Sequence, residues 1–131
     1  MLKHTLQTDK LFSESKESEL GVNVSVDFTS VGDGVEALDY LTSSGKYYGV
    51  PHKKPDLILL DLNLPRKNGL TTLGEIKSNP DLKSIPVIVL AGINNTKNID
   101  KAFELGASNF VCKPIDTKRF VKSIAQIGIL H

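Results

Sequence analysis

The chain has 131 residues, which is enough for one compact domain over residues 1–131 with a sizeable apolar core. Its 16 basic and 15 acidic side chains leave a formal charge of +1, and this balance argues against wholesale binding to nucleic acid or anionic lipid. The sequence has neither an apolar run of about 18 residues nor a secretory leader, so we expect a cytoplasmic protein with no membrane segment.

The single cysteine, Cys112, has no partner for a disulfide within the chain. The apolar residues around it predict a buried, reduced thiol, as is usual in cytosolic proteins. A reactive thiol is the alternative interpretation.

The first twenty residues are mostly polar. Residues 10–20 have the pattern of an amphipathic helix. Residues 2–6 are a poor candidate for a buried strand, because Lys3 and His4 lie among them. Two interpretations remain open: either a short, distorted first strand forms here, or residues 2–20 form one longer helix and another segment fills the middle of the sheet.

Apolar and polar residues alternate over residues 22–28, which predicts an edge strand with one face in water. Glycine residues at 32 and 34 then end this segment, and a short helix is expected over residues 35–41. The residues expected to pack it are Val35, Leu38 and Leu41. Residues 42–54 are predicted to form a loop, either a solvated insertion or an interaction surface.

Four consecutive apolar residues, 57–60, predict a central parallel strand that is buried on both faces. The strand ends at Asp61, at the sheet edge where ligands bind in open α/β sheets, so this carboxylate is expected to be exposed there as a site residue. Pro65 and Gly69 bracket a turn into a helix over residues 70–78, and Gly69 is expected to supply a backbone conformation closed to other residues.

Further elements continue the alternation of strand and helix. They are a strand over residues 87–91, a helix from Asn94 or Asn95 to about Leu105, a strand over residues 108–112 and a final helix capped by Asp116. Such alternation predicts a parallel sheet with right-handed crossovers and helices on both faces.

Residues 57–69, with the turn LNLPRKNG, resemble the phospho-acceptor segment of response-regulator receiver domains. They are most similar to the single-domain, phytochrome-associated type. Residues 32–38, 85–90 and 110–114 follow in the family's order and at about its spacing, so that the resemblance covers roughly residues 22–127. It implies one receiver domain with a CheY-like, three-layer, flavodoxin-like α/β fold, in which five parallel strands have the order 2-1-3-4-5.

The resemblance also implies roles for individual residues. Asp61 corresponds to the phospho-acceptor, although an aspartate at a strand end can instead cap the next turn. Lys113, followed by Pro114, corresponds to the lysine that pairs with phosphoryl oxygens. Phe110 has the position of the switch aromatic, with an ordinary core residue as the alternative.

Two departures from the family pattern bear on this site. The acidic pair that holds Mg²⁺ after the first strand is missing from residues 3–7, and Asp9 is the nearest carboxylate. Asp61 and the backbone carbonyl of Asn63 are therefore expected to bind Mg²⁺ only weakly. The family's Thr or Ser at the end of the fourth strand is replaced by Ala91, whose methyl group cannot donate a hydrogen bond.

Two functions therefore stay open. The first is a single-domain response regulator that receives a phosphoryl group from a sensor histidine kinase or phosphotransfer protein and signals to a downstream protein partner. The second is a pseudo-receiver, a binding module that acts independently of phosphate. A nucleotide-dependent enzyme is disfavoured because the Gly-rich phosphate loop is missing, so no enzymatic activity is expected. The weak first strand also favours a homodimer formed by exchange of the N-terminal segment.

Overall fold

In a computed structural model of the chain, a five-stranded parallel sheet carries helices that connect its strands. The structure describes residues 4–8, 27–50, 54–63, 68–92, 97–113 and 117–126. The strands are β1 (His4–Gln7), β2 (Asp27–Ser30), β3 (Leu57–Asp61), β4 (Val87–Ala91) and β5 (Asn109–Cys112). The helices are α1 (Gly34–Thr42), α2 (Gly69–Ser78), α3 (Ile99–Glu104) and α4 (Thr117–Gln126).

The order of the strands is β2-β1-β3-β4-β5, and all four neighbouring pairs are parallel. This confirms the predicted fold class and strand order. Strands β3 and β4 are buried along their whole length, as their unbroken apolar sequences predict. The carboxyl ends of all five strands therefore meet at one edge of the sheet, with the end of β3 in the middle.

Strand β1 lies between β2 and β3 and pairs with both. The alternative of one long helix over residues 2–20 is therefore wrong for residues 4–7. Thr5, Leu6 and Gln7 are fully buried, so the central position of this short strand overrides its polar composition. Because its sequence is polar, we predict that β1 exchanges its amide hydrogens faster than β3. The predicted helix over residues 10–20 lies outside the described residues.

One face of the sheet packs against α1, α2 and α3, and their apolar residues form one cluster with Leu6, Ile58 and Leu60. Helix α4 contacts β5 and buries Phe120 completely, outside that cluster. The buried residues of α1 are Gly34, Ala37, Tyr40 and Leu41. Leu41 is buried and Leu38 packs against the core, as predicted, whereas Val35 is only half-buried and the ring of Tyr40 is buried in addition.

Part of the predicted loop over residues 42–54 is bonded to the start of α1. The hydroxyl of Tyr47 and the ammonium of Lys46 both contact Glu36 Oε2, at 2.7 and 2.8 Å. The other oxygen of Glu36 accepts a hydrogen bond from Gly32 N at 2.9 Å. The hydrogen bond with Lys46, followed by that from Gly32, holds the pKa of Glu36 below its usual value. Tyr48, the residue after these contacts, is 83% exposed.

The other boundaries differ from the predictions by a few residues. Helix α3 begins at Ile99, five or four residues after Asn94 or Asn95, which both lie outside the described residues. Strand β2 ends at Ser30, two residues past the predicted end, and residues 22–26 of the predicted strand lie outside the described residues. The predicted cap Asp116 also lies outside the described residues. Among the described helices, none is long and apolar enough to cross a bilayer.

Thr5 generates a prediction about stability. Its hydroxyl oxygen is buried and has no hydrogen-bond partner among the residues that the structure describes. Since a buried hydroxyl without a partner is unfavourable, Thr5→Val should raise the free energy of unfolding by about 1 kcal/mol. Urea denaturation measures this change.

The matched control is Thr72→Val. Thr72 is also fully buried, but its hydroxyl donates to the Asn68 carbonyl at 2.9 Å, so its loss should lower stability. If both variants lose stability equally, the account of Thr5 is wrong.

Candidate functional site

Asp61 is the last residue of β3, and only 4% of its surface is exposed. Its Oδ1 accepts a hydrogen bond from Asn63 N at 2.8 Å, and its Oδ2 forms an ion pair with Lys113 Nζ. The expectation of an exposed carboxylate is therefore wrong. The acid lies at the end of the middle strand of the sheet, in contact with the side chain of Lys113.

Lys113 directly follows β5, and its backbone N donates to the carbonyl of Ala91 at the end of β4. Because β4 lies between β3 and β5, the long side chain of Lys113 spans the end of β4 to reach Asp61. Two residues that are far apart in the sequence and were predicted to share a site are thus in direct contact.

Ala91 lies between these two residues in the order of strands. Its side chain is fully buried and belongs to the apolar cluster on one face of the sheet. A methyl group offers no hydrogen bond, so the end of β4 contributes only backbone groups at this position.

Phe110 lies on β5 and is 37% exposed. Its ring packs edge-on against Phe103 of α3, with 6.0 Å between the ring centroids and 88° between the planes. Phe103 is itself 41% exposed. The alternative that Phe110 is an ordinary core residue is therefore disfavoured, and the two rings form an exposed aromatic pair.

Gly69 is needed for a different reason from the predicted one. Its φ is not positive, and it is the first residue of α2, which the side chain of Asn68 caps by accepting from Thr71 N at 2.8 Å. A Cβ at this position would lie 2.4 Å from the Asp61 carbonyl oxygen and 2.5 Å from Leu62 Cα. The start of α2 therefore presses against the backbone of the acceptor candidate, and only glycine leaves room.

The sequence analysis missed Thr8, which follows β1 and is only 3% exposed. Its Oγ1 accepts a hydrogen bond from Asp61 N at 2.9 Å and donates to the Leu59 carbonyl at 3.3 Å. The available signal was its position, because a residue that follows the first strand lies at the same sheet edge as Asp61. The candidates Asp9, Pro65 and Pro114 lie outside the described residues.

Cys112 is partly exposed, so the prediction of a buried thiol is wrong. It is the last residue of β5, where a cavity of about 270 Å³ opens between this strand and α4. The strand is at the edge of the sheet, and this position leaves the side chain accessible from one side.

The metal-binding capacity of the site is limited. No group of three or more His, Cys, Asp and Glu side chains that could hold a metal ion occurs among the described residues. Both oxygens of the Asp61 carboxylate already have partners. Together with the carbonyl of Asn63, it fits a weakly held, largely hydrated Mg²⁺.

A model of the response regulator receiver domain family matches residues 17–125. The chain belongs to this family. It is a receiver domain of the kind found in the response regulators of two-component systems. The response regulator Rcp1 of Synechocystis sp. is 42% identical over 95 residues, which make up 72% of this chain and 63% of Rcp1. The chain thus spans less than two thirds of the length of this curated relative.

Solved structures of phytochrome response regulators have the same receiver fold. The bacteriophytochrome response regulator RtBRR has a TM-score of 0.79 and 34% identity, covering 100% of this chain and 80% of that one. The phosphorylated cyanobacterial phytochrome response regulator RcpA has a TM-score of 0.73 and 35% identity, covering 96% and 90%. The Mn²⁺-bound form of Rcp1 has a TM-score of 0.70 and 35% identity, covering 95% and 91%.

One further match is named a probable cyclic di-GMP phosphodiesterase of Vibrio cholerae. It is 43% identical over 60 residues, and these make up only 14% of that protein. This match therefore assigns no enzymatic activity to the receiver domain.

The close approach at Gly69 generates a prediction. Gly69→Ala should lower the free energy of unfolding by about 1–3 kcal/mol, because the new Cβ forces the start of α2 away from the backbone of Asp61. The measurement is urea denaturation monitored by circular dichroism.

Gly74→Ala in the same helix is the control. Its Cβ would meet only Leu105 Cδ2, at 3.9 Å, so this variant should gain about 0.5–1 kcal/mol from helix propensity. Equal stabilities of the two variants would contradict the packing argument.

Proposed function

We propose that the chain, as one domain over residues 1–131, is a single-domain response regulator that receives a phosphoryl group on Asp61. The donor is a sensor histidine kinase or a phosphotransfer protein, and the output is a changed contact with a downstream protein partner. The observation that carries this proposal is the ion pair between Asp61 and Lys113 across the end of β4. It joins a nucleophile to a fixed positive charge at the sheet edge where ligands bind.

The proposed reaction forms an acyl phosphate. A carboxylate oxygen of Asp61 attacks phosphorus while the bond between phosphorus and the histidine nitrogen of the donor breaks, and the imidazole leaves with the electron pair. The ammonium of Lys113 stabilises the negative charge on the phosphoryl oxygens. The hydrogen bond from Asn63 N orients the carboxylate. RcpA, which was crystallised in its phosphorylated form, supports this reaction by similarity.

We also propose Mg²⁺ as a weakly bound cofactor. Asp61 and the carbonyl of Asn63 would hold it, and it would supply additional positive charge at the phosphoryl oxygens. The Mn²⁺-bound form of Rcp1 supports a divalent cation by similarity. Because Lys113 already neutralises one oxygen of Asp61, the affinity for the metal should be low.

A pseudo-receiver that binds its partner independently of phosphate is the second candidate. The apolar environment of Ala91 favours it, since no hydroxyl at the end of β4 responds to a phosphoryl group. A ligand shifts a conformational equilibrium only through contacts that differ between the two states. Both candidates lack enzymatic activity of their own and bind neither nucleic acid nor membranes, and both are compatible with a homodimer in a cytoplasmic protein.

Labelling with acetyl phosphate and Mg²⁺, followed by intact-protein mass spectrometry, tests the proposal. We expect the wild type to gain one phosphoryl group slowly, and Asp61→Asn to gain none. On labelling, the NMR signal of the Phe110 amide should shift more in Ala91→Thr than in the wild type, because the new hydroxyl adds a contact with the phosphoryl group. The labelling rate should not rise to the same extent, because the hydroxyl adds no charge. Calorimetry should give an affinity for Mg²⁺ that is weaker than micromolar.

Two results would count against this account. Rapid, Asp61-dependent labelling with micromolar binding of Mg²⁺ would contradict the weakened site. A wild type that takes no label at all would favour the pseudo-receiver instead.

A further inference from the structure

We propose that Thr8 is a positioning residue for phosphoryl transfer to Asp61. Its hydroxyl replaces a backbone carbonyl where β1 ends, and it thereby fixes the backbone of the acceptor residue. This inference rests on the proposed function and adds to it a residue outside the reacting groups.

The backbone amide of Asp61 points away from β4 and towards β1. In a parallel sheet, successive backbone amides of a strand point to its two neighbours in turn. Ile58 N donates to Pro86 O and Leu62 N donates to Leu90 O, each at 3.0 Å, so these two amides point towards β4. The Asp61 amide, one residue before Leu62, therefore points towards β1.

Strand β1 ends before it pairs with Asp61. The pairing between β1 and β3 ends at Gln7 and Leu59, two residues before Asp61. At this point the Oγ1 of Thr8 accepts the hydrogen bond from Asp61 N at 2.9 Å. A side-chain oxygen thus continues the hydrogen-bond pattern of the sheet beyond the last paired residues of the strand.

The hydroxyl of Thr8 is oriented by a second hydrogen bond. Thr8 N donates to Leu59 O at 3.0 Å, and the Thr8 hydroxyl donates to the same carbonyl at 3.3 Å. A hydroxyl has one hydrogen, and this bond uses it. The lone pairs of Oγ1 therefore remain to accept from Asp61 N, so the hydroxyl is held as an acceptor.

Thr8 thereby fixes the position of Asp61, the proposed phospho-acceptor. Asp61 is almost completely buried, and without Thr8 its N–H would lose the partner described here. The backbone at Asp61 carries the carboxylate that meets Asn63 N and Lys113 Nζ. Since small displacements of a reacting group lower the rate, loss of this hydrogen bond should slow phosphoryl transfer more than it weakens donor binding.

The experiment compares Thr8→Val, which removes the hydroxyl at constant shape, with Thr8→Ser, which keeps it. The matched control is Thr5→Val on β1, the strand that Thr8 follows, where the removed hydroxyl has no hydrogen-bond partner among the described residues. The labelling rate is measured as a function of acetyl phosphate concentration, and amide hydrogen exchange at Asp61 is followed by NMR.

We expect Thr8→Val to lower the rate at saturating acetyl phosphate about tenfold, with an unchanged half-saturating concentration. Its Asp61 amide should exchange faster, whereas Thr8→Ser and Thr5→Val should keep the wild-type labelling rate and should not exchange this amide faster than the wild type. A purely structural role would change global stability but would leave the rate per folded molecule unchanged, and that result overturns the inference.

The two failures can be distinguished. A labelled wild type together with Thr8→Val of unchanged rate overturns the role of Thr8 alone. A wild type that takes no label overturns the proposed function, and with it the role of Thr8 in that reaction.

Discussion

The ion pair between Asp61 and Lys113 is the interaction on which the site depends. A carboxylate that is almost completely buried is unfavourable unless it is paired and hydrogen-bonded. Lys113 and Asn63 N meet these requirements, one at each oxygen of Asp61. The pair forms because β4 holds β5 in position. The backbone N of Lys113 donates a hydrogen bond to the carbonyl at the end of β4. The parallel sheet therefore forms the candidate site by bringing together two residues that are distant in the sequence.

The side chains next to this ion pair determine what else is available to the proposed reaction. In the described part of this chain, a lysine neutralises Asp61 directly, and an uncharged threonine follows the first strand. In the proposed reaction, Lys113 would supply positive charge, whereas the methyl group of Ala91 would offer no hydrogen bond to couple the transfer to a conformational change. Chemistry and signalling would then depend on different residues.

Much of the fold could be predicted because strands β3 and β4 are unbroken apolar runs that end at a recognisable turn. Strand β1 was difficult, since it buries Thr5 and Gln7 and only its position between two strands shows why. The site residues Asp61 and Lys113 followed from the motif, but the burial of Asp61 did not, because it depends on what neighbouring strands place over it. The roles of Thr8 and Gly69 depend on distances across the fold, which no local pattern contains.

The most direct test of the central claim, that Asp61 and Lys113 together receive an anionic phosphoryl group, is an NMR titration with beryllofluoride and Mg²⁺. Beryllofluoride mimics a phosphoryl group on a carboxylate, and nitrogen-proton correlation spectra report each amide. We predict changes at the amides of Asn63, Ala91 and Lys113 in the wild type, no changes in Asp61→Asn, and much weaker binding in Lys113→Met. An unchanged wild-type spectrum, or identical changes in Asp61→Asn, would contradict the claim.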